Sequence, residues 1–135
     1  MNRQQFERFY WVGLKKALLK TIELGYVPLL FCEGKYGDRL EYFLELPKGK
    51  IVCHFDLTDM HRAKDVLRDH LCIMGNVPSS LLQVASVQEV EEYCRDLIEY
   101  CGKGGGFILA AGSAIDEASP ENVKAMVDAP KKFQV

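Results

Sequence analysis

Four short apolar runs, each followed by a helix-length amphipathic stretch, restrict the fold of this chain more than any other feature. They are "VPLLFCEG" from Val27, "KIVCHFD" from Lys50, "LCIMGN" from Leu71 and "GGGFILAAG" from Gly104. Each is apolar at consecutive positions, not alternate ones, so a strand built from it needs cover on both faces. Strand–helix alternation repeated in this way supplies the cover as a parallel sheet packed against helices. Two architectures satisfy the pattern, a doubly wound open sheet and part of a (β/α)8 barrel. A complete barrel takes ~250 residues. The chain has 135, read as one domain over residues 1–135.

The intervening segments carry recognisable helix signals. From Gln4 to Leu24 the apolar residues Phe6, Phe9, Tyr10, Leu14, Ala17, Leu18 and Ile22 recur at helical spacing, and Gly25 ends the run. Asp38 is placed to cap a helix reaching about Leu46, broken by Pro47-Lys48-Gly49. Thr58 or Asp59 opens the next, to about Arg68, and a short turn of helix comes after it around Ser79–Leu82. Ser86 and Glu89 form a capping box ahead of a helix to Tyr100. In the last helix Ser119 is the expected N-cap, Pro120 the first helical residue and Pro130 the stop. The glycine run Gly102 to Gly106 ends a helix and enters a strand, the reverse of a phosphate-cradling loop, so it reads as a tight αβ turn.

Composition removes several functions. A formal charge of −2 leaves no electrostatic footprint for nucleic acid. No apolar run approaches the ~18 residues of a membrane span. The first residues read as an amphipathic helix, not a signal peptide, which points to the cytoplasm. The five cysteines (Cys32, Cys53, Cys72, Cys94 and Cys101) lack any CxxC or zinc-ribbon spacing and suit reduced, buried thiols.

In parallel α/β folds, ligands sit beyond the carboxyl ends of the strands. The four loops there are Glu33–Asp38, Asp56–Asp59, Gly75–Ser80 and Gly112–Ser119. Strand alternation sends Phe31 and Glu33 one way, and likewise His54 and Asp56. If those faces point inward, Glu33, His54, Asp56, Asn76 and Ser113 converge on one site. Plainer roles compete. Asp56 or Asp59 can cap a helix, Asn76 can satisfy loop backbone, and His54 between Cys53 and Phe55 can be a core histidine. His61 and His70 read as surface and loop residues. Glu33 is harder to set aside, because an acid ending an apolar strand is costly unless solvated or paired. The loop from Gly112 raises a separate question, whether Ser113, Asp116 and Glu117 do chemistry or turn the chain.

The segments "VPLLFCEG", "CHFDLTD", "IMGNVPSSLL" and "GGFILAAGSAIDEASPENVKAMVDA" together resemble the C-terminal half of the uroporphyrinogen decarboxylase superfamily. That superfamily comprises the decarboxylase and the cobalamin- or corrinoid-dependent methyltransferases. The resemblance runs from about Phe6 to Ala129 and implies a (β/α)8 barrel, here its C-terminal half, with four parallel strands in sequential order. It implies a corrinoid or tetrapyrrole ligand. In a decarboxylase, Asp56 and Asn76 would contact pyrrole nitrogens or propionates, with Ser113 also facing the substrate. The departures bear on activity. Where the methyltransferases carry a zinc-binding His-x-Cys, this chain reads Phe31-Cys32-Glu33. Their further zinc cysteine, and the decarboxylase's histidine, fall at Ser113. A hydroxyl is a poor zinc ligand beside a thiolate.

The family barrel's N-terminal half, with its arginine-rich segment and essential aspartate, has no counterpart in this sequence. Three functional readings are open. One is a methyltransferase-like half-barrel in which Glu33, His54 and Asp56 form a harder ligand set for zinc or another divalent ion, with Glu33 or Asp56 as base where no metal binds. Another is a decarboxylase-like domain of porphyrin biosynthesis. The third is a half-barrel without catalysis, inactive alone. Strands "VPLLFCEG" and "GGGFILAAG" would be open edges, and an inward row of Phe31, His54, Met74 and Leu109 would lack a partner, so a homodimer is expected.

Overall fold

A computed structural model describes residues 1–135. An N-terminal helical segment comprises α1 (Arg3–Phe6), a π turn (Glu7–Trp11) and α2 (Val12–Glu23). Next along the chain are β1 (Leu29–Cys32), a 3-10 turn (Leu40–Glu45), β2 (Val52–Phe55), α3 (Met60–Leu67), β3 (Cys72–Val77), α4 (Ser79–Val84), α5 (Val87–Cys101), β4 (Phe107–Ala111) and α6 (Pro120–Lys132). The strands form one parallel sheet in the order β1-β2-β3-β4. A doubly wound sheet must reverse its order somewhere, and this one never does. The expected half-barrel is the fold.

Register assigns the faces. Phe31 pairs with His54, His54 with Met74, and Met74 with Ile108, so these four share the face away from the helices. The fourth member of the inward row is therefore Ile108, not Leu109, which pairs with Gly75 and lies with Phe107 and Ile98 near α6. The core fills the other face. Cys53, Phe55 and Ile73 from the sheet meet Ala63, Leu67, Val90, Cys94 and Leu97, all nearly or fully buried. Burial pushes the Cys94 and Cys101 thiols up to about 11, as inert core groups require.

Three helix expectations need correction. The N-terminal segment buries Phe6, Trp11 and Leu18, while Phe9 is 72% exposed. The buried positions lie five and then seven apart because the π turn inserts a residue and rotates the downstream helix by about 100°. Asp38 caps nothing: the segment is a 3-10 turn whose cap position, Arg39, makes no side-chain cap bond. Aromatic packing draws it in, with Tyr42 and Phe43 set against Phe6, Trp11, Tyr36 and Phe55. Pro130 does not stop α6, which runs on to Lys132. Lying within the last turn, it forfeits one backbone bond, and Phe133 N still reaches the Ala129 carbonyl at 2.8 Å.

Elsewhere the local signals hold. Ser86 and Glu89 form both halves of the capping box. Asp59 is the residue that caps α3, its Oδ1 accepting from His61 N and Arg62 N at 2.9 and 3.2 Å. Ser119 occupies the N-cap position of α6, but its hydroxyl donates to Glu121 instead of capping backbone. The glycine run is an αβ turn at the amino end of β4, held by Lys64 Nζ donating to the Gly105 carbonyl at 2.7 Å.

Candidate active site at the strand ends

Asp56 stands at the centre of the carboxyl ends of the strands. Its Oδ2 accepts from Gly34 N, just past β1, at 3.2 Å. On its other side, a Cβ added to Gly112, just past β4, would lie 3.1 Å from the Asp56 carbonyl oxygen and 3.5 Å from Oδ1. The chain thus folds β1 and β4 loops against the same carboxylate, and glycine at 112 permits the approach. Beneath it, His54 Nε2 meets the Ala111 carbonyl at 2.7 Å. A carbonyl can only accept, so Nε2 carries the proton and Nδ1 is left free to accept. The Phe31 ring lies 5.2 Å from the imidazole, centroid to centroid.

Asn76 is buried and faces the Asp56–Asp59 loop. Its Nδ2 donates to the carbonyls of Asp56 and Thr58 at 2.9 and 2.7 Å, and its Oδ1 accepts from the Tyr93 hydroxyl at 3.2 Å. Burial, the larger cause, raises the Tyr93 pKa and keeps the hydroxyl protonated as that donor. Thr58, also buried, accepts from Tyr36 N at 2.9 Å. Both amide protons of Asn76 are spent on the chain itself, so it positions the loop and has no donor left for a ligand.

The expected three-residue metal set does not assemble. No three His, Cys, Asp or Glu side chains lie close enough together to hold an ion. Glu33 projects into solvent beyond β1 and Asp56 Oδ2 is committed to a backbone amide, so the free Nδ1 of His54 has no completed ligand set beside it. The residues present do not fit zinc. Ser113 is half-buried beside Gly112, whereas Asp116 and Glu117 are exposed, with Glu117 accepting from Gln83 Nε2 at 3.1 Å. That loop turns the chain towards α6.

A cleft of about 620 Å³ opens on the helix side of the same strand ends. Lys35, Thr58, His61, Asn76, Tyr93 and Asp96 are among its lining residues. His61, which sequence spacing assigned no role, bonds Asp96 Oδ2 at 2.7 Å and stacks on Tyr100 at 3.9 Å. Asp96 lies 35 positions away, so no local pattern announces the pair.

With this geometry in place, the family is decided by the profile of uroporphyrinogen decarboxylase (URO-D), which matches residues 1–133. The chain belongs to the uroporphyrinogen decarboxylase family. Its similarity to uroporphyrinogen decarboxylase of Coxiella burnetii is 28% identity over 133 residues, covering 98% of this chain and 36% of that protein. The enzyme of the same name from Syntrophotalea carbinolica is 28% identical over 120 residues, covering 88% of this chain and 34% of its own. The chain therefore spans about a third of the length of these family members. A methyltransferase from Methanosarcina mazei superposes on all of this chain and on 39% of its own, with a TM-score of 0.77 at 21% identity. At that identity the likeness is one of fold. No helix is long and apolar enough to cross a membrane.

Proposed function

We propose that this chain is the ligand-facing C-terminal half of a methyltransferase-like family barrel, and that alone it catalyses neither methyl transfer nor decarboxylation. The observation that carries this is the character of the inward face. Along the strands it presents Leu29 and Phe31, Val52 and His54, Cys72 and Met74, and Ile108 and Ala110, with no lysine or arginine among them. Uroporphyrinogen carries many carboxylates, and a cation 4 Å from each is worth roughly 1–4 kcal/mol near a protein surface. This face offers none. A large ligand with a mostly apolar face, such as a corrinoid, suits it better.

The chemistry of a complete family site is also incomplete here. Ser113 and Phe31 stand where the resemblance places thiolate, imidazole or zinc ligands, and the strand-end groups are tied to backbone. Asp56 remains the one inward carboxylate with an oxygen not committed to a backbone amide, so it is the group assigned to ligand contact or to holding a proton. The five free thiols, four of them buried, favour a reducing compartment and support a cytoplasmic assignment.

Two assays test the proposal. Incubation with uroporphyrinogen should yield no coproporphyrinogen above a control without protein; any clear excess overturns the absence of catalysis. In equilibrium dialysis, hydroxocobalamin should be retained and uroporphyrin not. Retention of uroporphyrin alone would move the assignment to the decarboxylase branch.

A further inference from the structure

We propose that the inward face is covered by a second copy of this chain, two half-barrels closing into one eight-stranded barrel whose ligand cavity is shared between them. The sheet has two open edges, β1 and β4, and strand order runs unbroken between them. A two-fold axis along the barrel would set β4 of each copy beside β1 of the other in the parallel sense already used throughout the sheet. Four strands from each copy complete the count of eight that such a barrel requires. Rotation by half a turn closes the contact, so the assembly ends at two copies.

Several exposed apolar side chains lie where that closure would bury them. Leu29 and Phe31 on β1 are 58% and 44% exposed, and Ile108 on β4 is 44% exposed. The helices flanking the edges match. Val12 and Leu19 on α2, which leads into β1, are 50% and 37% exposed, and Val127 on α6, which comes after β4, is 58% exposed. With the two unpaired strand edges, these side chains give each seam both backbone hydrogen bonding and apolar burial, the two contributions a stable interface draws on. Closure would also place Asp56 and Glu33 of both copies around one mouth, which no single chain encloses. The inference does not depend on which ligand enters, because its test reads mass and not activity.

Light scattering should give the mass of two 15.3 kDa chains. Leu29→Asp and Ile108→Asp, each at a partly exposed position, should stay folded by circular dichroism and run as single chains, since each homodimer carries a lesion at both seams. Mixed in equal amounts, the two variants should recover the two-chain mass, because the mixed pair keeps one seam free of substitution. Should either sheet variant fail to fold, Val127→Asp on the outer helix provides the same single-chain reading. A wild type at one-chain mass overturns the proposal, as do variants that still pair alone, or a mixture that stays single. A chain that remains single until the N-terminal barrel half of a family member is added would assign the face to that half instead.

Discussion

Gly75→Ala should cost about 3–5 kcal/mol of stability, the largest loss expected of any glycine substitution in the chain. A Cβ at position 75 would lie 2.5 Å from the carbonyl oxygen of Phe55. That neighbour is backbone at the carboxyl end of β2, a strand paired on both sides, and cannot swing aside. The residue also has φ +128°, where a side chain adds about 1–3 kcal/mol of strain. The two terms act together, and the site depends on the same close approach, because β3 must come against β2 for Asn76 to reach the Asp56 and Thr58 carbonyls. Urea unfolding would show a much lower midpoint with an unchanged slope. Gly13→Ala supplies the contrast: no atom lies within 4 Å of its added Cβ, and removing a helical glycine should gain about 0.5–1 kcal/mol. Equal effects at the two positions would contradict the packing described.

Asn76→Ala should lose about 3 kcal/mol, since two loop carbonyls and the Tyr93 hydroxyl would lose their partner in a buried place. Asn76→Asp is the sharper variant. An ionised carboxylate there would face two carbonyl oxygens, so its folded-state pKa must rise above its unfolded value. Linkage fixes the sign. The variant is most stable at low pH, where the protonated group still donates one bond, and stability falls as pH rises through the folded pKa. Wild type has no such group at this position, so the difference between the two unfolding midpoints should widen from acid to neutral pH. Parallel curves would mean that the Asn76 amide does not hold the loop.

What could be read from the sequence was what short-range chemistry decides. The four strands, the Ser86–Glu89 box and the Asp59 cap each rest on residues within a few positions of one another. So did the face on which Phe31, His54 and Met74 lie, because period-two alternation fixes it strand by strand. Alternation failed at Ile108, where the interstrand register decides which residue continues the row. The π turn was hidden for a similar reason. Phe9 and Tyr10 fit helical spacing as well as Trp11 does, and the choice is made by Tyr42 and Phe43, more than 30 positions on, which take up Trp11. The site shows the same division. Strand-end position set Asp56, His54 and Asn76 at the carboxyl ends of the strands, but it said nothing of what each is bonded to or of the face that Asn76 turns to. The Ala111 carbonyl on His54 and the two loop carbonyls on Asn76 are tertiary partners; the first fixes which ring nitrogen of His54 carries the proton, and the others turn Asn76 from a candidate ligand contact into a positioning group.

The site, the open face and the paired barrel all rest on the strands keeping barrel order. Interstrand backbone contacts in an isotope-labelled NMR sample test that order most directly. Close contacts are predicted between Leu30 and Cys53, between Cys53 and Ile73, and between Met74 and Ile108, in one parallel sheet. Contacts that set β1 beside β3, or that reverse the order anywhere along the sheet, would contradict it.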